Sequence, residues 1–356
     1  MTRVAILANC QGQDLLTLIL ALKGERTDIA VRHILNYVPS NRDEDDFIAV
    51  ATHVVYQVTW NQQSFERRYP GQIVIYFPGL RLDCLYPFAG EAHPRNYAAW
   101  NETGSAGPFD DQLGDKQLNR IMSELAGAVP EKIYDRFISL DYATLVDLDR
   151  IWERDRSRLE RLGEIAGLDI LGPIDAGLRL RPVFWTNLHP VIDVVRYCYM
   201  HIMSQLPLDI PISTVYGKAF SLYDSLDPAH APVHPSVAKH FGIHWADGAF
   251  AYRQWLAGSF THREWTLRYI RFDHNPALDK ARVDLIRDID VAGAVDILET
   301  QVASGQVGGQ VYHLLSIGYW KVQRQADALA AALRAIDSEP LDARFKDFLN
   351  TLVRLG

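Results

Sequence analysis

The chain is short of cysteine, of long apolar runs and of positive charge, and each shortage narrows what it can be. Three cysteines in 356 residues, Cys10, Cys84 and Cys198, make a poor disulfide framework and fit a reducing compartment. No window approaches the roughly 18 uninterrupted apolar residues of a membrane-spanning helix. The opening apolar run, Val4 to Ala8, ends at the polar Asn9 and is too short for a secretory leader. The expected location is therefore the cytoplasm, with no membrane span. Lys and Arg number 36 against 44 Asp and Glu, a formal charge of −8, which argues against a surface built to wrap nucleic acid or coat an anionic membrane. Glycine-rich phosphate loops are missing as well. Asn9-Cys10-Gln11-Gly12-Gln13 lacks the three spaced glycines of a dinucleotide fingerprint. His240 and His244 stand four apart without a matching Cys or carboxylate motif, so no metal site is expected.

What is present is an ordinary globular composition, 48% hydrophobic and 22% charged, in a chain long enough for two domains. Apolar runs at Val4–Ala8, Ile29–Ile34, His53–Val58 and Gln72–Phe77 alternate with helical patterns at Leu15–Leu22, Asp43–Ala51 and Gln62–Arg68. Strands separated by helices at this spacing predict βαβ units, hence an α/β fold with a mostly parallel sheet flanked by helices. Residues 78–110 are a long aromatic loop rich in Pro and Gly. Helices are expected at Asp111–Leu125, at Asp141–Ile165 with its mixed charge on a solvated face, and at Val191–Leu206. A further strand is expected at Leu178–Trp185. From Pro276 onward strand signals vanish, which divides the chain into an α/β domain, 1–275, and a helical C-terminal domain, 276–356. In the latter Tyr312, Leu315, Ser316, Tyr319, Ala328, Ala335 and Pro340 fall at the packing positions of a tetratricopeptide-type helix pair. Such helices offer a surface for a protein partner or a second copy of the chain.

The chemistry is expected at the turn Asn9-Cys10-Gln11-Gly12. A cysteine directly after a buried strand and at the start of a helix meets unpaired N–H groups and the positive end of the helix dipole, which favour a thiolate. The same N–H groups can hold the oxyanion formed when a carbonyl is attacked. Gly12 lets a ligand approach the backbone, and the amides of Asn9 and Gln11 can donate to that oxyanion. The plainer alternative makes Cys10 a small hydrophobe at the sheet edge. Among twelve histidines, His189 is the chosen base, because it follows a strand-like run and precedes Pro190 at a helix start. His53 and His93 are the reserves. Trp245, Phe250, Tyr252, Trp255, Phe260 and Trp265 cluster late in the chain, as core or as a flat platform for a sugar.

The stretch Val4-Ala5-Ile6-Leu7-Ala8-Asn9-Cys10-Gln11-Gly12, with Leu15 and Leu16, resembles the opening motif of the WcbI family of polysaccharide biosynthesis enzymes. Later landmarks agree in order: Val54-Val55-Tyr56-Gln57, Ile75-Tyr76-Phe77-Pro78, Leu85-Tyr86-Pro87 and Asn187-Leu188-His189-Pro190. The resemblance implies an acetyltransferase that takes coenzyme A or acetyl-coenzyme A as co-substrate and acts on a sugar of a capsular or surface polysaccharide. Arg67, Arg68 and Arg81, near the inferred strand ends, are then the candidates for the coenzyme A phosphates. The turn also resembles the first block of SGNH-type esterases, with cysteine in place of serine. The sequence departs from that pattern at the histidine, where Thr186-Asn187-Leu188 offers no aspartate three residues earlier. A Cys-His pair can work without one, because a thiol is more acidic than a serine hydroxyl. Two alternatives stay open: a thiol esterase or deacetylase with water as acceptor, and a non-catalytic coenzyme A or glycan-binding protein of a synthesis complex.

Overall fold

The computed structural model describes residues 1–37, 39–59, 71–96, 108–220, 229–254, 257–305, 308–339 and 343–355. In chain order the elements are β1 (Thr2–Ala8), α1 (Gln13–Lys23), β2 (Ile29–Leu35), α2 (Arg42–Ala49), β3 (His53–Val58), β4 (Ile73–Pro78), α3 (Lys116–Glu124), α4 (Pro130–Ile138), α5 (Leu148–Ala166), α6 (Leu171–Gly177), α7 (Ile192–Gln205), α8 (Ile212–Phe220), α9 (Pro235–Phe241), β5 (Tyr252–Gln254), β6 (Gly258–Phe260), α10 (His262–Arg271), and the C-terminal helices α11 (Pro276–Arg287), α12 (Val291–Ala303), α13 (Gly309–Lys321), α14 (Gln325–Ser338) and α15 (Ala343–Leu355). They fall into two compact units. The first comprises Met1–Pro87, Asp141–Asp227 and Val233–Ala246, and the second Phe88–Leu140, Pro228–Pro232 and Asp247–Gly356.

The first unit is built on a four-stranded sheet, all parallel, in the order β2-β1-β3-β4. Central strand β1 is buried at every position from Val4 to Ala8, the run expected of a strand covered on both faces. Helix α1 buries Leu15, Leu18 and Ile19, one apolar stripe at helical spacing, and packs beside β2. Helix α2 starts at a reciprocal cap: the Asn41 side chain accepts from the Glu44 N–H and the Glu44 carboxylate accepts from the Asn41 N–H. The chain leaves β1 toward β2 on one side and returns to β3 on the other. That reversal opens a crevice at the carboxyl ends of β1 and β3, where parallel α/β sheets bind ligands.

Several expectations give way here. Leu178–Trp185 forms no strand. Pro182 has no N–H to give a ladder, and the segment makes a single antiparallel bridge, Phe184 to Pro190, closing a tight loop. The helix expected from Asp141 begins only at Leu148, capped by Asp147, after a separate turn at Tyr142–Thr144. Helix α4 was not anticipated, although Pro130 at its first turn is a helix-start signal. The helix expected at Gln62–Arg68 lies outside the described residues.

In the second unit, Trp265 and Tyr269 stack, and Phe109 meets both edge-to-face, its centroid 4.9 Å from that of Tyr269. Trp265 and Tyr252 are buried, which places both in the core rather than on a sugar platform. Trp245 belongs to the other unit and donates to the Leu178 carbonyl. The five helices from Pro276 share a core that runs from Leu278 to Leu352. Within this unit α13 and α14 pack against each other, with Leu315, Ser316, Ala328 and Ala335 buried and the Ser316 hydroxyl donating to the Ala328 carbonyl at 2.7 Å.

Among the described residues no helix is long and apolar enough to cross a membrane, and no group of three or more His, Cys, Asp or Glu could hold a metal ion.

Candidate active site

At the end of β1 the backbone tightens into one 3-10 turn, Cys10–Gly12, which continues directly into α1. Asn9 caps it, its side-chain oxygen accepting from the Gln11 N–H at 2.9 Å, while the Gly12 N–H donates to the Asn9 carbonyl at 2.9 Å. Gly12 is buried, and what crowds it is protein. A Cβ there would lie 2.7 Å from the Ala8 Cβ and 2.9 Å from His33 Nε2. The glycine is thus required by its neighbours, which corrects the expectation that it leaves space for a ligand. His33, in the second half of β2, has its Nε2 3.2 Å from the Ala8 carbonyl and 3.1 Å from the Asn9 carbonyl, so a proton on Nε2 braces the turn.

The thiol of Cys10 is free and half-buried, and its Sγ lies 3.8 Å from His189 Nε2. The two residues that sequence reasoning paired are brought together across 179 positions of chain. Burial raises the Cys10 thiol above its ordinary value, against the pull of the Cys10 and Gln11 N–H groups, and Asp14 adds to the rise. Burial also depresses His189, to about 4. The pair therefore rests as neutral thiol and neutral imidazole. The helix terminus does not make a standing thiolate, because desolvation outweighs it. His189 Nδ1 is buried without a hydrogen-bond partner among the described residues, so no carboxylate orients the ring there.

His189 is held instead through its loop. The Trp185 N–H donates to the His189 carbonyl at 2.7 Å, and the His189 N–H to Thr186 Oγ1 at 3.2 Å. A second loop, after β4, grips the first: the Leu82 N–H donates to the Asn187 carbonyl at 2.8 Å and the Tyr86 hydroxyl to the Phe184 carbonyl at 3.0 Å.

Gln11 has a different part from the one expected. It is 1% exposed, and its Nε2 donates to the Leu80 carbonyl at 2.7 Å and the Leu188 carbonyl at 2.9 Å. Its Oε1 accepts from the Leu80 N–H at 3.0 Å and from Gln57 Nε2 at 2.9 Å. With both amide hydrogens committed, Gln11 has no donor left for an oxyanion. Asn9 Nδ2, by contrast, gives no hydrogen bond to any described residue.

Arg81 lies beside this loop, half exposed, with its Nε on Asp83 at 2.8 Å. Arg154 and Arg158 reach the same carboxylate at 3.1 and 3.5 Å, and Arg158 also pairs with the fully buried Asp155 at 2.9 Å. Asp155 in turn accepts from the Asp83 and Cys84 N–H groups at 2.7 and 2.8 Å. The charged face of α5 is thus partly interior, not fully solvated as expected. The signal was legible: Asp155 falls on the apolar stripe of Leu148, Leu159 and Leu162. Arg67 and Arg68 lie outside the described residues. His53 sits at the opposite, amino end of β3, where its ring meets Thr52, and His93 is buried in the second unit against Tyr269 and Phe272. His53 does not join Cys10. Sequence reasoning missed Gln57, His33 and Tyr199, whose hydroxyl donates to the Gln11 carbonyl at 2.7 Å.

No curated protein matches the chain. A solved structure described as WcbI, a novel polysaccharide biosynthesis enzyme, native and without a disulfide between coenzyme A and one of its cysteines, is similar over 89% of this chain and 99% of that one, at 16% identity and a TM-score of 0.49. The family model for the polysaccharide biosynthesis enzyme WcbI matches residues 3–210, more than half the chain and including both Cys10 and His189. The chain belongs to the WcbI family of polysaccharide biosynthesis enzymes.

Proposed function

We propose that the protein transfers an acyl group, with acetyl the expected one, from a coenzyme A thioester to a hydroxyl of a sugar in polysaccharide synthesis. The observation that carries this reading is the 3.8 Å approach of Cys10 Sγ to His189 Nε2 at the carboxyl end of β1. Membership of a polysaccharide biosynthesis family supports a sugar as the acceptor.

In the first step Cys10 Sγ attacks the thioester carbonyl while His189 Nε2 takes the thiol proton. The bond to the coenzyme A sulfur breaks, that sulfur receives the proton, and an acyl-Cys10 thioester remains. In the second, His189 takes the proton of the sugar hydroxyl as its oxygen attacks, the carbon–Sγ bond breaks, and the proton returns to Cys10. Acyl passes from sulfur to oxygen with no change in oxidation state. A neutral His189 suits both steps, because each begins with proton removal. The oxyanion of each tetrahedral stage meets the Cys10 N–H and Asn9 Nδ2, which gives no hydrogen bond among the described residues. Three guanidiniums, Arg81, Arg154 and Arg158, face two carboxylates, Asp83 and Asp155. That cluster is the cationic group on offer to the donor's phosphates.

The test is a thermal-shift titration with coenzyme A and acetyl-coenzyme A on wild type and Cys10→Ala. Specific binding stabilises the fold by about 2.7 kcal/mol at a hundredfold excess over Kd. A clear shift with both ligands on both proteins is expected, and no shift at millimolar ligand would contradict the reading. Ester hydrolysis without a coenzyme A shift would favour the esterase instead.

A further inference from the structure

Gln57 is the last but one residue of β3 and is wholly buried, in a strand otherwise made of apolar side chains and one histidine at its start. An unpaired amide at such a place costs about 1–3 kcal/mol, so its partners repay attention. Its Oε1 accepts the Asn9 N–H at 2.9 Å, directly before Cys10. Its Nε2 donates to Gln11 Oε1 at 2.9 Å. Gln11 then donates onward to the carbonyl of Leu188, directly before His189, at 2.9 Å. Neither amide can be turned over. The Asn9 N–H demands an oxygen from Gln57, and the Leu80 and Leu188 carbonyls demand a nitrogen from Gln11.

The result is one unbroken path of directed hydrogen bonds across the β1/β3 reversal. It starts at the backbone beside the thiol and ends at the backbone beside the imidazole. We propose that Gln57 is a positioning residue for the Cys10–His189 pair, acting through the side-chain amide of Gln11. It sets the separation of sulfur and nitrogen by tying the turn and the loop that carry them to a common point on β3. The Asn36 amide, 3.5 Å from Gln57 Oε1, steadies the same oxygen. The proposal needs Cys10 and His189 to act together, as in the function proposed above, but its test does not depend on the substrate.

The test reads the alkylation rate of Cys10 with iodoacetamide in the absence of ligand. Cys84 and Cys198 are buried, so labelling reports Cys10, as peptide mass mapping verifies. Gln57→Ala, His189→Ala and the double variant complete a cycle. In the wild-type background Gln57→Ala should slow alkylation about tenfold, equivalent to about 1.4 kcal/mol. In the His189→Ala background the same change should alter it less than about twofold. Equal slowing in both backgrounds, no slowing in either, or no effect of His189→Ala itself would overturn the proposal.

Gln57→Glu keeps the shape and guards against a variant that fails to fold. Its carboxylate accepts from Asn9 but repels Gln11 Oε1, whereas the protonated acid both accepts and donates. Burial raises the pKa of such a group. The rate relative to wild type should therefore be low at neutral pH and climb toward one as pH falls, and a ratio flat with pH would contradict the role. If coenzyme A produces no thermal shift while the cycle behaves as predicted, the acyltransfer reading fails and the role of Gln57 stands.

Discussion

Replacing Gly12 by alanine sets two opposed effects against each other, and the structure decides which wins. The backbone at Gly12 has φ −83° and ψ −12°, which alanine adopts without strain. On that ground alone the change would stabilise by about 0.4–1 kcal/mol through the unfolded chain. The added methyl, however, would lie 2.7 Å from the Ala8 Cβ and 2.9 and 3.1 Å from the His33 ring. The Ala8 methyl cannot swing away, and the ring is held by the Ala8 and Asn9 carbonyls. Overpacking of this kind costs about 1–3 kcal/mol, so the net expectation is a loss of about 1–2 kcal/mol. Urea unfolding followed by circular dichroism measures it. Combining Gly12→Ala with His33→Ala removes the clash with the ring and should cost less than the sum of the two single changes. A Gly12→Ala protein as stable as wild type, or more so, would refute the close packing of the turn.

The charged cluster makes a larger claim. Asp155→Ala strands the Asp83 and Cys84 N–H groups and half of the Arg158 guanidinium inside the protein, and should cost about 3–5 kcal/mol in the same assay. Asp155→Asn, which keeps an acceptor in place, should cost distinctly less. Stability should also depend on pH through the buried imidazoles. His93 and His189 are each depressed to about 4, below the unfolded value near 6.5. Between those values the unfolded chain binds more protons, so each residue makes stability fall as pH drops from about 6.5 to about 4. Over that window His93→Gln should lose less stability than wild type, and equal losses would contradict the assignment.

Much of the first unit was legible because its signals are local. The runs at Val4–Ala8 and His53–Val58 are apolar, short and bounded by turn or helix material, and they are strands β1 and β3. Cys10 stood out because a strand ran straight into a helix there, and His189 because Pro190 follows it. The misreadings share a cause, which is that they depend on partners far away in sequence. Leu178–Trp185 has the composition of a strand, yet among the described residues it makes only the single bridge of Phe184 to Pro190. Gln11 has the amide of an oxyanion donor, yet Leu80 and Leu188, distant in the chain, consume it. The thiol and imidazole protonation states follow from burial, which spacing along the chain does not report. Gln57 stands in the landmark Val54-Val55-Tyr56-Gln57, but its part follows only from the register that sets β1 beside β3.

The central claim is that Cys10 carries the acyl group with His189 as its base, and the most direct measurement is mass spectrometry of the intact protein after brief exposure to acetyl-coenzyme A without a sugar acceptor. The account predicts one acetyl group per chain, mapped to the Cys10 peptide, absent from Cys10→Ala and formed far more slowly by His189→Ala. Bound acetyl-coenzyme A with no acetyl on Cys10 at any time, in a protein that still acetylates a sugar, would contradict it.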